Sequence, residues 1–215
     1  MKKLAIIGAG GFGREVQGLV EQINAVKEEW ELIGFYDDGI SVGTIVNGLP
    51  VLGGVAQINT SEHSIYLTLA VGNPETKKKM VEQITSPHVQ YATLIHPQAL
   101  IGNRKWSSVG EGSIICAGVI ATVQVTIGRH VILNLSCTVG HDTRIGNYAS
   151  FMPSVNISGE VEVGECVFVG TGAKIINQVN IGSNTTIGAG AVVTSNIPDH
   201  CTAVGIPAKP IKFHT

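Results

Sequence analysis

Along the first ninety or so residues of this chain, short apolar runs alternate with segments of helical spacing. Lys3–Ala9 is apolar and followed by glycines, as expected of a strand buried on both faces of a parallel sheet. Arg14–Ala25 carries Val16, Leu19, Val20 and Ile23, a stripe that predicts a helix. Glu31–Asp38 and Ile65–Val71 read as two more strands. Pro74–Ile84 reads as a second helix with proline in its first turn. Strand–helix–strand order predicts a small parallel sheet, a Rossmann-like α/β domain over residues 1–90.

From about residue 95 the period becomes six. Stepping by six from Val109 meets Ile115, Ala121, Ile127, Leu133, Val139, Ile145, Phe151, Ile157, Val163, Val169, Ile175, Ile181, Ile187 and Val193, so that with Val109 all fifteen positions are apolar. Gly follows eight of them directly, and Ser, Thr, Ala, Cys or Val stands two residues before each next step. Ile95 and Ile101 extend the series backwards, with a two-residue slip near Trp106. This pattern resembles the hexapeptide repeat of left-handed parallel β-helices. The resemblance implies three hexads per triangular coil, so residues 18 apart stack. Fifteen hexads then make about five coils, roughly 24 Å long at ~4.8 Å per strand. Glycines after the core residues are expected to take the corner dihedrals. The expected division is residues 1–90, a β-helix at 91–199, and a C-terminal tail at 200–215.

Composition supports strands. There are 25 Ile and 25 Val against 11 Leu, with no Leu after Leu135, and 27 Gly. Helices favour the opposite choice, so a helical bundle is excluded. A 44% hydrophobic content argues against disorder. A net charge of −2 leaves no basic footprint for nucleic acid. No apolar run is long enough to span a membrane, and Leu4–Ile7 stops too soon for a secretory leader, so a cytoplasmic protein is expected. Cys116, Cys137, Cys166 and Cys201 show no CxxC spacing and read as reduced core residues rather than zinc ligands.

A β-helix can be a spacer, an ice-binding surface or an enzyme. No Thr-x-Thr array is present. Only His130 and His141 lie in the coils, too few for a three-histidine metal site, so no metal is expected. His141-Asp142 is the chemical candidate. His141 takes an outward slot beside a corner, and Gly159, one coil on, stacks on it and is expected to leave open space and a free N–H. Asp142 would orient the ring and raise its basicity, given a kink that brings neighbouring side chains together. Thr171 and Ala189 occupy equivalent slots in a second column of small residues. A plain prism has no deep pocket, so a site would need a neighbouring chain or the N-terminal domain. That domain supplies Gly8-Ala9-Gly10-Gly11-Phe12-Gly13 between strand and helix, a context that suits phosphate at a helix N-terminus. Asp37-Asp38 end the second strand, and Lys77-Lys78-Lys79 reads as a solvated helix face.

The glycine loop, Phe35-Tyr36-Asp37-Asp38, Ala70-Val71-Gly72-Asn73, Leu94-Ile95-His96-Pro97, His141-Asp142 and Gly205-Ile206-Pro207-Ala208-Lys209 occur in that order. Together they resemble the bacterial nucleotide-aminosugar N-acetyltransferases and sialic acid O-acetyltransferases of the hexapeptide superfamily. The resemblance implies a homotrimeric, acetyl-CoA-dependent transferase of surface-glycan biosynthesis with sites between subunits. It implies that His141 is the general base, aided by Asp142, with Asn134 close by. Gly159 N–H would face the thioester oxygen, Ser150 would stand near the acetyl group, Thr171 and Ala189 would line the CoA arm, and Lys209 would approach its nucleotide end. Gly10, Gly11, Phe12, Asp37, Asp38 and Gly72 would hold the nucleotide-sugar. Phe12 and Ser150 stand where family members often carry histidine. O-acetylation of sialic acid and a non-catalytic scaffold are the competing readings.

Overall fold

The structure, a computed structural model, describes residues 1–214. Its first part contains β1 (Lys2–Ile7), α1 (Gly11–Val26), β2 (Trp30–Tyr36), β3 (Ile45–Val46), β4 (Leu49–Gly53), α2 (Val55–Ile58), β5 (Ile65–Leu69), α3 (Pro74–Gln83) and β6 (Val89–Tyr91). The strand order is β3-β4-β2-β1-β5-β6, parallel except for the β3–β4 hairpin. Leu4, Ala5, Ile6 and Ile7 are all buried, which suits β1 to the centre of the sheet. β2 flanks β1 on one side and β5 on the other, so a crevice opens at the carboxyl end of β1.

α1 begins three residues earlier than its apolar stripe suggests, inside the glycine loop. Gly13 permits this, because a Cβ there would run into the Gly8 carbonyl. The β3–β4 hairpin turns on Asn47 and Gly48, with φ of 45° and 81°. An Asn-Gly pair is a strong hairpin signal, and it explains two strands in a stretch where apolar periodicity marks neither strand nor helix. Lys77 does not lie on a solvated face: it is 1% exposed and packs toward the second part of the molecule.

That second part is a left-handed parallel β-helix with three faces. The first face runs from Leu94–Ile95 to Thr186–Ile187, the second from Leu100–Ile101 to Val192–Val193, and the third from Ser108–Val109 to Asn180–Ile181. The first two faces hold six strands each, and the third holds five plus a bridge from Ile181 to Ile197. There are therefore six coils, not five. The additional coil starts at Leu94, and the Asn103–Trp106 turn absorbs the two-residue slip.

The glycines that follow the core residues do not turn the corners. Positive φ falls two residues later, at every sixth residue from Gly112 to Gly190, and ten of these fourteen residues are not glycine. The directly following glycines are needed for close approach between coils. A Cβ on Gly146, for instance, would lie 2.6 Å from the Gly164 carbonyl carbon. Inside the prism, large and small residues alternate, with Phe151 the bulkiest.

The N-terminal sheet packs on the outer surface of the first face. Leu94, Ile114 and Ile132 point outward from the helix and join one buried cluster with Leu4, Ile6, Val16 and Leu19. Each such side chain contributes roughly 1.5–3 kcal/mol by leaving water. Cys201–Gly205 then adds to the top of the first face and pairs antiparallel with Ala208–Phe213.

Candidate active site

His141 follows the Thr138–Val139 strand at the corner between the second and third faces. The corner is pinned from both sides. The Asp142 N–H donates to Val123 O of the coil below at 3.1 Å, and His141 O accepts the Glu160 N–H of the coil above at 2.8 Å. Asp142 has φ of 58°, which supplies the kink that folds its side chain back toward its neighbour. His141 Nδ1 and Asp142 Oδ2 are 2.9 Å apart. In the neutral ring the carboxylate accepts the Nδ1 proton, so Nε2 keeps its lone pair.

The space over Gly159 is not left open; the His141 ring fills it. A Cβ on Gly159 would lie 2.5 Å from His141 Nε2. Among the described residues, Gly159 N–H has no backbone or side-chain acceptor. The ring therefore lies over a bare backbone, with its basic nitrogen beside that amide. Both side chains of the pair remain substantially exposed, 56% for His141 and 46% for Asp142. The pair stands on an open corner of the prism.

The other assigned residues gather elsewhere. Asn134, Thr171 and Ala189 follow strands of the first face, at the corner between the first and second faces. Asn134 Oδ1 accepts the adjacent Leu135 N–H at 2.6 Å. Thr171 and Ala189 are exposed. The tail reaches this corner too: Val204, which pairs with Lys209, packs against Gly188. One face of the prism separates Asn134, Thr171, Ala189 and Lys209 from His141 within a single chain. Ser150 is fully buried in the first face, where its hydroxyl accepts Lys77 Nζ at 2.9 Å instead of facing a ligand.

The N-terminal loops open beside the first–second corner. Side chains added at Gly10 or Gly11 would meet nothing within 4 Å, so the start of α1 faces free space. Phe12 lines a cleft of about 220 Å³ with Gln22, His96, Ala117 and Leu135. Gly8, Asp37, Asp38 and Val71 line a smaller one of about 200 Å³ at the carboxyl ends of β1, β2 and β5. Gly72 lines a third, of about 470 Å³, with Asn73, Phe168 and Thr186, and faces Met152. Asp37 and Asp38 also do local work. Asp37 accepts the Ala9 and Gly39 N–H groups, while Asp38 accepts the Val55 N–H that opens α2.

His96 belongs to the Leu94-Ile95-His96-Pro97 motif, where the sequence alone points to no role for it. Its Nδ1 accepts the Gln98 N–H, so Nε2 carries the proton and donates to Gln22 Oε1 at 2.7 Å. Burial lowers its pKa, which favours that neutral form. The sequence contained the residue, but only the packing of α1 against the coil gave it a cleft to line. No group of three or more His, Cys, Asp or Glu among the described residues is placed to hold a metal ion, and no helix there is long and apolar enough to cross a membrane.

Comparison with known proteins agrees with this layout. The PglD N-terminal domain family matches residues 3–84, and the bacterial transferase hexapeptide (six repeats) family matches residues 160–195. The GDP-perosamine N-acetyltransferase of Escherichia coli O157:H7 is 31% identical over 176 residues, which cover 80% of this chain and 77% of that one. The acetyltransferase domain of PglB from Neisseria gonorrhoeae FA1090, solved with acetyl coenzyme A, superposes with a TM-score of 0.84 at 34% identity, covering 98% of this chain and 99% of that one. PerB from Caulobacter crescentus, solved with CoA and GDP-perosamine, gives 0.81 at 30% identity, covering 99% and 98%. With this architecture, these matches and a His-Asp pair in place, the chain belongs to the hexapeptide-repeat family of nucleotide-aminosugar N-acetyltransferases.

Proposed function

We propose that this acetyltransferase moves the acetyl group of acetyl-CoA directly to the amine of a nucleotide-linked amino-deoxysugar, with His141 as general base. The observation that carries the reading is the His141–Asp142 pair, whose free Nε2 lies over the bare backbone of Gly159. The sugar amine attacks the thioester carbon while Nε2 accepts its proton. Charge on the carbonyl oxygen is met by Gly159 N–H, an unspent donor. The C–S bond breaks, and the proton held on Nε2 passes to the leaving CoA thiolate. Relatives solved with acetyl coenzyme A, or with CoA and GDP-perosamine, support both co-substrates.

The division of residues between two corners supports a homotrimer. The base stands at one edge of the second face, and the CoA-arm residues stand at the other. If three chains turn their second faces toward a common axis, each base corner meets a neighbour's CoA corner, and the ring closes. In this arrangement the nucleotide lies on the Rossmann-like domain, its phosphates at the start of α1. Gly10, Gly11, Phe12, Asp37, Asp38 and Gly72 surround it. Thr171, Ala189 and Lys209 border CoA, and Asn134 faces the partner's His141.

Thiol release from acetyl-CoA tests the reading against a panel of UDP-, GDP- and dTDP-linked 4-amino sugars and free sialic acid. Turnover with an aminosugar nucleotide is expected, with kcat/KM falling by roughly 10²–10⁴ in His141→Ala. Full activity in that variant would remove the base assignment. Turnover with sialic acid alone would replace N-acetylation by O-acetylation, and no release with any acceptor would leave a scaffold.

A further inference from the structure

Lys77 is the largest buried polar side chain among the described residues and has no part in the reaction above. It is 1% exposed, and Pro74 is the only other buried residue of α3. Its Nζ donates to Ser150 Oγ at 2.9 Å, and Ser150 is itself fully buried between Ile132 and Phe168 of the first face. Among the described residues, no carboxylate pairs with it. Cys166 and His130 act on it from the β-helix, and its own helix brings Lys78 and Glu75 near that thiol. Lys78 is already paired with Glu165 at 2.5 Å.

The backbone of Lys77 joins this buried bond to the clefts. Its N–H donates to Asn73 O at 3.0 Å, and Asn73 Oδ1 accepts the Thr76 N–H at 2.9 Å. Asn73 follows Val71 and Gly72, which line two of the clefts, and Gly72 faces Met152, two residues beyond Ser150. The loop and the coil thus meet twice, once at Gly72–Met152 and once at Lys77–Ser150. We propose that Lys77 is a positioning residue: by bonding Ser150 it holds the Val71–Pro74 loop, one wall of the nucleotide-sugar site, against the fourth coil. This rests on the acetyl-transfer reading for the identity of the ligand, but not for the bond itself.

The working form is the uncharged amine. An ammonium has three donors and finds one acceptor here, and burial pushes the pKa down to about 7. Above that pH the amine keeps its bond to Ser150. Below it, a buried cation without a carboxylate loosens the contact.

Ser150→Ala and Lys77→Met test the assignment, with Ser150→Thr as the variant that keeps the hydroxyl. The first readout is hydrogen exchange of residues 71–84 in the free enzyme, which needs no substrate. Exchange there is expected to speed up in Ser150→Ala and Lys77→Met, with α1 unchanged, and to recover in Ser150→Thr. Corrected for intrinsic rates, protection of this segment should fall between pH 8 and pH 6 in the wild type and stay level in Lys77→Met. The second readout is kinetic. KM for the best aminosugar nucleotide of the panel should rise roughly tenfold in Ser150→Ala, with kcat and the KM for acetyl-CoA nearly unchanged. Unchanged exchange, or a loss confined to kcat, would overturn the assignment. A chain that acetylates no aminosugar would overturn the functional reading, while the exchange data would still decide whether the pair holds the loop.

Discussion

At the residue scale, the proposed chemistry depends on one missing side chain. The imidazole of His141 lies across Gly159 because nothing projects from that backbone. Gly159→Ala puts a methyl 2.5 Å from Nε2, closer than packed atoms allow, so the ring must swing away. The expected result is a loss of kcat/KM of roughly 10²–10³, with thermal stability near wild type, since only an exposed side chain moves. Steady-state kinetics beside a melting curve checks this. Asp142→Asn keeps the shape but removes the charge and blurs the choice of tautomer. A fall in kcat larger than any rise in KM is expected, measured with both substrates varied. The residue pair was legible in the sequence, but the contact was not. It depends on a left-handed backbone dihedral at Asp142, which the repeat imposes on every sixth residue whatever its side chain.

At the element scale, the hexad uses its residues differently from what their chemistry suggests. Glycine is the usual residue for positive φ, so the frequent glycines looked like the corner formers. The backbone instead places Gln124, His130, Ser136, Asp142, Tyr148, Ser154, Glu160, Cys166, Gln178 and Asn184 in that region, at a cost of roughly 1–2 kcal/mol each. Stacking of equivalent corners on successive coils holds them there. The glycines relieve a different restriction, the contact between coils. Gly146→Ala should therefore destabilise by about 1–3 kcal/mol, because its methyl meets the Gly164 backbone, which has no rotamer to yield. Denaturant unfolding measures the loss, and activity per folded molecule should hold, since this corner is not the one carrying His141.

At the scale of the whole molecule, the join between the two parts stores acid sensitivity. His130 is fully buried between Tyr91 of β6 and Tyr148, with ring centroids at 4.6 and 5.3 Å, and neither ring nitrogen has a partner. Burial pushes its pKa down to about 4, helped by Arg129 and Lys77. Between pH 6.5 and about 4 the unfolded chain holds a proton that the folded chain refuses, so stability falls as pH drops through that window. His130→Phe should remove that slope, up to roughly 3 kcal/mol between pH 7 and pH 4, read from urea unfolding at stepped pH. The proposed trimer makes a separate prediction. His141→Ala and Ala189→Trp block opposite corners, so each should be inactive alone. Reassembled together, they should regain activity at junctions that pair the intact corner of each. Activity no greater than the sum of the two variants would argue for a site within one chain.

What the sequence determined by itself was periodic. A six-residue repeat specifies which side chains face the prism, because each hexad sees the same neighbours, and the alternation of strand and helix signals specifies the parallel sheet. The sequence also isolated His141-Asp142, since the pair breaks the repeat's usual composition on an outward slot. Tertiary structure decided everything that depends on contacts between distant segments. It placed a nominally solvated Lys77 in the join between sheet and coil, because α3 settles on Ser150, 73 residues away. It separated His141 from Asn134, seven residues apart in sequence, by one face of a triangular prism. Local patterning records whether a residue points inward or outward; which elements come to rest on it depends on how the whole chain packs.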